Sequence, residues 1–535
     1  MALARVIHLR RPSAVFLAAV MAAPACLSGG DPPLGQQVST DRTAQLIGVL
    51  PARTPDDGIV RTLALQWQPG DAYQKLYVIM TPRSGGTSRE VLLTERFTCN
   101  VGPACVDVDD QGRAFVWSLG VRSVEGGPNT LARIDLDSGE RVDFGPRSRY
   151  AFSTSRRRAV VSMEWGNAES TLVEGDGAMV ALPMGGYSFT FIGEDLFFVD
   201  QAHVLTRMAV GRAPEALKEG VRDVSLVPVS GGSAEDRLLL KHVPQSPFVA
   251  GALGLLDPAT GMEVPLPLDA RQRPIFSTDG HWALIHEGDV SSNRQWRMME
   301  LATGAEEPFE LPVPPLEPFW RPGKNEAWFV STDWPERRGY IKRPGQPLQE
   351  LPAEFVPWSA QQESLFTSDG EYVFSGRPGE SFLKATVFVG PADDPVGPRF
   401  PLNPTGSTYT RHQELPDGRL VVEAFHTGGD RSDMYLFDPA DGATRLLGKL
   451  GSVAEMGAGR LLLFTHRLAG MGDLVAVDVD GSRSTTLGTE FVSAAYAQPS
   501  AAGAVASFGP GVPVAFQFRA RFASPYDGIW LALAP

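Results

Sequence analysis

A short unit built around an Asp-Gly turn recurs along this chain. In one copy, Ser277–Trp282, Asp279 and Gly280 form the turn and an apolar run follows at 283–285. A second copy, Thr367–Phe374, has the same order of residue types. Hairpin turns of this kind need residues that tolerate positive φ, as Gly and Asp do. A turn that recurs before short apolar strands predicts an all-β repeat protein.

A second signature follows the first in several copies. An apolar strand ends in Asp or Glu, and a Gly comes three or four residues later. The pairs are Asp135 and Gly139, Asp257 and Gly261, Glu300 and Gly304, Asp438 and Gly442, and Asp478 and Gly481. Two different turns in one unit indicate that each unit contains more than one hairpin.

The spacing of the units gives their size. From Gly112 to Gly503 ten units follow at intervals of 37–48 residues, and those near 157, 194 and 234 are counted mainly from the spacing. Their short apolar runs, such as 196–199 and 238–240, are typical of strands buried on both faces. Four-stranded propeller blades have this size and this double burial.

The copies at Ser277–Leu284 and Thr367–Phe374 resemble the TolB-type, WD40-like propeller repeat. Its usual form is Ser-Pro-Asp-Gly-Lys before an apolar strand, and here Thr278 and Ser368 replace the Pro. The Gly-His and Trp-Asp signatures of true WD40 blades are missing. The resemblance covers roughly residues 45 to 535 and implies an all-β propeller with four-stranded blades of about 40–50 residues.

The number of rings stays open. A single large ring is one arrangement, and two tandem propellers that divide near 268–315 are the other. The Pro-rich stretch 311–318 is the candidate linker, or else a long loop between blades. The C-terminal strand 528–533 is expected to close a ring by pairing with an early strand such as 45–50.

The N-terminus predicts export. Arg5, Arg10 and Arg11 precede an apolar stretch at 12–23, which is too short to span a bilayer. Small residues then lead to Cys26, which resembles a bacterial lipoprotein signal, although Ala23 stands where Leu is usual. The resemblance implies a signal peptide at 1–25 and lipidation of Cys26. Ordinary secretory cleavage near Ala25 is the alternative.

Residues 26–42 are predicted to be a flexible tether. The expected location is the bacterial cell envelope, with the chain attached to a membrane by lipid on the periplasmic side or the cell surface. No later stretch has 18 uninterrupted apolar residues, so the sequence predicts no transmembrane helix.

Two further cysteines remain after Cys26. Cys99 and Cys105 lie six positions apart and would meet an oxidising compartment after export. We expect a disulfide between them, and two buried free thiols are the alternative.

Local catalytic motifs are missing from the sequence. There is no Gly-x-Ser-x-Gly elbow, no P-loop and no dinucleotide-binding fingerprint. His281 and His286 lie five apart on a predicted strand, so they face opposite sides and cannot easily share a metal. Asp135 and Asp137 share a strand face but are expected to form turns. We therefore assign no catalytic, cofactor-binding or metal-binding residues and no cofactor.

Charge limits the partners. The net charge of −14 argues against nucleic-acid binding, which needs a basic surface. The one tight basic run, Arg156–Arg158, is expected to be a solvated hairpin tip. The sequence predicts a binding or scaffolding module whose partner is an envelope protein or polysaccharide. An envelope hydrolase or lyase with its site in the central channel is the alternative.

Overall fold

The fold consists of antiparallel sheets that follow one another along the chain. The computed structural model describes residues 36–41, 44–50, 58–66, 74–97, 106–118, 130–146, 149–162, 170–228, 236–244, 251–269, 274–286, 294–331, 338–358, 365–376, 386–403, 407–415, 417–426, 432–449, 451–457, 460–466, 472–478, 483–488, 498–499, 513–518 and 528–533. Within these ranges there is no helix, and hence none with the length and apolar character needed to cross a membrane.

The first five sheets occupy the N-terminal half of the chain. Sheet 1 has β2 (Ala44–Leu50), β3 (Ile59–Gln66), β4 (Gln74–Pro82) and β5 (Arg89–Phe97). Sheet 2 has β6 (Val106–Val108), β7 (Arg113–Ser118), β8 (Thr130–Asp135) and β9 (Arg141–Pro146). Sheet 3 has β10 (Arg149–Phe152), β11 (Ala159–Ser162), β12 (Ser170–Val173) and β13 (Met179–Leu182). Sheet 4 has β14 (Met184–Ile192), β15 (Asp195–Asp200), β16 (Val204–Met208) and β17 (Glu215–Glu219). Sheet 5 has β18 (Val221–Val227), β19 (Arg237–His242), β20 (Ala252–Leu256) and β21 (Glu263–Asp269).

Five more sheets follow with the same order of strands. Sheet 6 has β22 (Ile275–Phe276), β23 (Trp282–His286), β24 (Gln295–Glu300) and β25 (Glu306–Glu310). Sheet 7 has β26 (Pro315–Trp320), β27 (Ala327–Ser331), β28 (Gly339–Lys342) and β29 (Gln349–Glu350). Sheet 8 has β30 (Val356–Pro357), β31 (Tyr372–Gly376), β32 (Val387–Pro391) and β33 (Phe400–Pro401). Sheet 9 has β34 (Ser407–Glu414), β35 (Leu420–His426), β36 (Ser432–Phe437) and β37 (Thr444–Lys449). Sheet 10 has β38 (Gly451–Gly457), β39 (Arg460–His466), β40 (Gly472–Asp478) and β41 (Ser484–Gly488).

The two ends of the chain meet in sheet 11. It contains β43 (Pro513–Phe518) and β44 (Gly528–Leu533) from the C-terminal end and β1 (Gln36–Ser39) from the N-terminal end. The C-terminal strand pairs with an early strand, as expected, but the strand given as the example, 45–50, is not its partner. β2 has no free edge, because it pairs with β3 on one side and with β42 (Gln498–Pro499) on the other. β44 pairs instead with β1, so residues 36–39 of the expected tether form a strand.

The recurrent Asp-Gly turn joins the first two strands of a sheet. In sheet 6, Ser277 Oγ accepts a hydrogen bond from Trp282 N (2.9 Å) and donates one to Asp279 Oδ1 (2.5 Å). Gly280 sits at φ +67°, as the turn requires. The same bonds form in sheet 8 around Thr367 and Asp369. The side chains of the motif therefore stabilise the turn that the sequence predicts.

The second signature joins the last two strands. Asp257 Oδ1 accepts hydrogen bonds from Ala259 N (2.8 Å) and Thr260 N (3.3 Å), and Gly261 N donates to the carbonyl of Asp257 (2.9 Å). In sheets 6 and 9, which carry both signatures, the first and last hairpins are therefore both closed by sequence-encoded turns.

Apolar clusters connect each sheet to the next. In sheet 2, Phe115 packs toward Ala159 and Val161 of sheet 3, whereas Ala114 and Val116 pack toward sheet 1. Similar clusters join every consecutive pair from sheet 1 to sheet 10, and another joins sheet 11 to sheet 1. β14 also contacts β10 and β18, the first strands of the adjacent sheets. This arrangement is an all-β propeller.

The range 268–315, in which a split into two propellers was predicted, covers the whole of sheet 6. Leu311, the first residue of the Pro-rich stretch, and Trp320, just after it, belong to one apolar cluster shared by sheets 6 and 7. The choice between one ring and two stays a prediction.

Candidate functional site

The connections between strands divide each sheet into two ends. The turns between first and second strands and between third and fourth strands lie at one end, which we call the turn end. The connections between second and third strands, and from one sheet to the next, lie at the other, the loop end. Because loops carry most binding residues of rigid scaffolds, the loop end is the first place to look for a site.

A cleft of about 700 Å³ lies at the loop end of sheet 6. It is lined by the last residues of β23, the first residues of β24 and the last residues of β25, namely Ile285, His286, Gln295, Trp296, Arg297, Pro308, Phe309 and Glu310. Its volume falls in the range of about 300–1,000 Å³ that is usual for ligand sites. We call it the sheet-6 cleft.

Aromatic rings form one wall of the sheet-6 cleft. His286, Trp296 and Phe309 are paired in register across three strands, so their side chains share one face. The His286 and Trp296 rings lie 4.8 Å apart, and Trp296 meets Phe329 of sheet 7 edge to face at 5.3 Å. His286 and Trp296 are only 4% and 1% exposed, which fixes this wall firmly in the core between the two sheets.

Charged and amide groups also line the cleft. Arg297 Nη1 donates to Glu306 Oε2 (2.8 Å), which positions the half-buried guanidinium at the cleft. Gln295 and Glu310 are opposite one another in the register and are both exposed. Of the three rings only Phe309 is partly exposed. Its apolar surface beside amide, carboxylate and guanidinium groups is suited to holding an extended polar polymer, with an apolar contact on one side and hydrogen bonds on the other.

The turn end is held together by charges that link neighbouring sheets. Arg321 of sheet 7 is buried and bonds Glu326 Oε1 (3.0 Å), Asp393 Oδ1 of sheet 8 (2.7 Å) and the Gly370 carbonyl (2.7 Å). Burial would raise the pKa of Glu326, but hydrogen bonds from Arg321, Trp328 and Arg343 outweigh it and lower the pKa. Because these groups bond one another, their geometry indicates a structural role.

His281 and His286, which the sequence analysis considered as a metal-binding pair, are separated by the length of a strand. His281 lies in the turn before β23, exposed, with Nδ1 3.3 Å from Asp279 Oδ2. His286 lies at the opposite end of the same strand, in the sheet-6 cleft. In the part of the chain that the structure describes, no three His, Cys, Asp or Glu side chains come together in a way that suits a metal ion.

Two other motifs can be placed. Asp135 Oδ1 accepts hydrogen bonds from Asp137 N (3.0 Å) and Ser138 N (2.7 Å), so this Asp forms a turn as expected. The basic run Arg156–Arg158 is a hairpin tip only in part. Arg157 is largely exposed, whereas Arg158 is buried and its side chain reaches into the next sheet.

The three cysteines cannot be placed. Cys26, Cys99 and Cys105 lie outside the described residues, so the lipidation and the disulfide stay predictions. The flanking strands show only that Cys99 and Cys105 belong to the connection between β5 of sheet 1 and β6 of sheet 2.

Comparisons with known proteins assign no family. No family model matches the chain, and no curated protein matches it. Among solved structures, a eukaryotic initiation factor aligns over 70% of this chain and 95% of its own, at 11% identity and a TM-score of 0.40. Dihydro-heme d1 dehydrogenase NirN in complex with DHE aligns over 78% of this chain and 80% of its own, at 13% identity and a TM-score of 0.32.

A third similar structure is the β-propeller domain of Cps50 (Swd1) from Myceliophteria thermophila. It aligns over 59% of this chain and 100% of its own, at 12% identity and a TM-score of 0.25. Scores this low carry no information on function. The propeller assignment rests on the strand order, the shared cores and the closing sheet.

The sheet-6 cleft was not visible from the sequence. Its residues come from three strands separated by turns and by the connection 287–293, and no local motif links them. The one available signal is Trp296, a large aromatic residue near the start of a strand at the loop end.

Proposed function

We propose that this chain is a binding or scaffolding propeller of the bacterial cell envelope and that its partner binds at the sheet-6 cleft. The observation that carries the proposal is the cleft itself, which combines the partly exposed Phe309 ring, held by a buried aromatic cluster, with exposed polar groups at the loop end. The partner class is an extended envelope polymer, either a protein segment or a polysaccharide. Both present repeated polar groups and flat surfaces that such a cleft contacts.

Lipid anchoring at Cys26 is the second part of the proposal. It is supported by the basic residues, the short apolar stretch and the small residues before Cys26. β1 begins at Gln36, so residues 27–35 would join the lipid to sheet 11. Nine extended residues span at most about 30 Å. The closing sheet would therefore lie close to the membrane.

The TolB-type origin of the repeat is part of the same proposal.

A capture experiment tests the binding site. Full-length protein is cross-linked in envelope extract, and bound protein and polysaccharide are identified by mass spectrometry. Glu310→Lys changes an exposed residue of the cleft, and Glu371→Lys makes the same change at an exposed position at the turn end of sheet 8. We expect one partner to be captured by wild type and Glu371→Lys and to be lost from Glu310→Lys. Equal capture by both variants contradicts the site.

A fractionation experiment tests the anchor. Wild type is expected to sediment with membranes after cell disruption, and Cys26→Ser is expected to remain in the supernatant. If wild type is already in the supernatant, lipidation is wrong and secretory cleavage near Ala25 is favoured.

A mass measurement tests the disulfide that we propose between Cys99 and Cys105. The exported protein, unfolded and alkylated without reduction, is expected to carry no alkyl group on either residue. Alkylation of both without reductant shows free thiols instead.

A further inference from the structure

In the described part of the chain, sheet 11 has one strand fewer than sheets 2–10. Each of those sheets has four strands, whereas sheet 11 has β43, β44 and β1. β43 contacts β2, the first strand of sheet 1, and β1 contacts β4, the third strand of sheet 1. β1 therefore takes the third position of sheet 11. The fourth position lies beyond its outer edge, opposite β5, and an edge of this kind can accept a strand from another chain.

The face of β5 that points toward this fourth position is exposed. Glu90 is opposite Ile79 in the register, and Leu92 is opposite Tyr77. Ile79 and Tyr77 belong to the apolar cluster between sheets 1 and 11, so Glu90 and Leu92 lie on the face that points toward sheet 11. Leu92 is nevertheless 50% exposed, whereas Leu93 is fully buried against sheet 2. A fourth strand in sheet 11 would cover Leu92.

A polar cleft of about 370 Å³ lies at the same place. It is lined by residues 37–41, by Gln66 of β3 and by Glu90. Gln66 Nε2 donates to Asp41 Oδ2 (2.5 Å), whereas Glu90 is exposed and forms no ion pair with a described residue. Burial raises the pKa of Tyr77, and the charges of Glu90 and Asp41 raise it further, so both carboxylates lie near its hydroxyl group. The cleft is therefore negatively charged.

Two complete sheets show how a fourth strand meets such a carboxylate. Glu263 begins β21, the fourth strand of sheet 5, and is opposite Leu256, which packs toward sheet 4. Its Oε2 lies 2.8 Å from Nζ of Lys218 on β17, the fourth strand of sheet 4. Glu90 has the corresponding position near the start of β5. By this comparison, a fourth strand in sheet 11 would carry a cation beside Glu90.

The segment of this chain that precedes β1 does not have the required side chains. Residues 27–35 contain no Lys or Arg, and their one charged residue is Asp31. They also contain Pro32 and Pro33, which cannot donate main-chain hydrogen bonds to a neighbouring strand. A segment of another protein fits the position better.

We propose that an extended segment of a partner protein pairs with the outer edge of β1 as the fourth strand of sheet 11. The segment places a Lys or Arg beside Glu90 and an apolar side chain over Leu92. Because Glu90 and Leu92 are two residues apart on β5, the two partner residues are also two apart, on one face of the added strand. Main-chain hydrogen bonds hold the segment, and these two side chains select it. The surface is separate from the sheet-6 cleft.

Binding of a synthetic peptide to the full chain tests the proposal. The probe is fluorescently labelled Thr-Lys-Thr-Val-Thr-Lys-Thr, which presents a basic and an apolar residue two apart in both strand directions. The control peptide has Glu in place of both Lys residues. We expect saturable binding of the probe in fluorescence anisotropy, about tenfold tighter than that of the control, because the cleft repels the acidic peptide. Equal binding of the two peptides, or no binding of the probe, overturns the proposal.

Two variants with the same substitution locate the site. Glu90→Lys reverses the charge beside the added strand and is expected to weaken binding of the probe about tenfold. Glu219→Lys is the matched control, because Glu219 is exposed on β17, the fourth strand of the complete sheet 4. It is expected to bind the probe as wild type does. Wild-type affinity in Glu90→Lys overturns the site.

Amide hydrogen exchange separates strand addition from contact through charge alone. Bound probe is expected to slow exchange within residues 36–39 of β1 and to leave exchange in β17 unchanged, since only β1 gains main-chain hydrogen bonds. Binding of the probe without slower exchange in 36–39 would show that no strand is added, and it would overturn the proposal.

Discussion

Buried arginines tie the sheets of this propeller together. Arg158 and Arg321 are 2% and 1% exposed, and each donates to at least one main-chain carbonyl of the following sheet. Guanidinium groups suit this position because their fixed fork of donors reaches carboxylates and carbonyls at once. A buried ion pair is not in itself proof of stabilisation. Removing one partner is costly all the same, since it leaves a charge without compensation.

Replacing Arg321 by Met tests how much the loss of one partner of a buried ion pair costs. The change leaves Glu326, which is 5% exposed, without one of its cations, and Asp393 loses its bond. We expect the free energy of unfolding to fall by about 3–5 kcal/mol in urea titrations. Arg338→Met is the control, because Arg338 pairs with Glu350 (3.1 Å) at the surface and its loss should cost about 0–1 kcal/mol. Similar losses for both variants would contradict an interior role for Arg321.

Single residues were the hardest part to predict from the sequence. Arg158 looked like part of a solvated tip, because nothing near it shows that Glu174 and the next sheet supply its partners. Asp135, by contrast, was predicted to form a turn, since its partners lie within three residues. Local hydrogen bonds can be inferred from one segment, whereas a partner in another sheet requires the fold.

Among the elements, the turns follow the sequence most closely. Gly280 and Gly370 have the positive φ that the Asp-Gly pattern predicts. The degenerate unit near 157 is also a true turn, in which Arg156 takes the place of Gly at φ +63°. The unit near 234 lies outside the described residues. The spacing of the repeat units therefore predicted a turn whose residues do not match the motif.

Two glycines at equivalent turns separate backbone strain from steric contact. Gly418 has φ +81° and nothing within 4 Å of its added Cβ, whereas the Cβ of Gly370, at φ +74°, would overlap the Pro322 carbonyl of sheet 7. We expect Gly418→Ala to cost about 1 kcal/mol and Gly370→Ala about 1–3 kcal/mol more. Chemical unfolding of the two variants gives the comparison. Equal costs would mean that Gly370 is not needed for contact with sheet 7.

His412 makes the contact between sheets 8 and 9 sensitive to pH. Its ring lies 4.3 Å from Phe374, and burial lowers its pKa to about 4, against about 6.5 in an unfolded chain. Below pH 6.5 the unfolded chain binds a proton that the folded chain does not, so stability falls as the pH drops from 6.5 to 4. The full effect is on the order of 3 kcal/mol.

Replacing His412 by Phe is expected to remove this part of the pH dependence. The variant should lose less stability than wild type between pH 6.5 and 4 when the free energy of unfolding is measured at each pH. Its control is His281→Phe, which changes an exposed histidine in a turn. A pH profile for His412→Phe that matches wild type in slope would show that other groups cause the loss.

For the molecule as a whole, the closing sheet joins the two ends of the chain. Val38 of β1 packs in one cluster with Leu46 and Ile79 of sheet 1 and with Ile529 of β44. The sequence predicted that the C-terminal strand closes a ring, but not its partner. β1 is only four residues long and lies next to residues typical of a tether, so its pattern is too short to show a strand.

A charge at Val38 tests whether closure stabilises the entire propeller. Val38 is 8% exposed, and Val38→Asp would place a carboxylate without a partner among apolar side chains. We expect a loss of about 3–5 kcal/mol, together with protease cleavage near both ends of the chain, because β1 and β44 lose their packing at the same time. Leu92→Asp is the control, since Leu92 is 50% exposed on β5 of sheet 1 and should cost below about 1 kcal/mol. Cleavage confined to the N-terminal end of Val38→Asp would show that β44 stays packed without β1. Pairing with β1 would then stabilise only the N-terminal end and not the whole propeller.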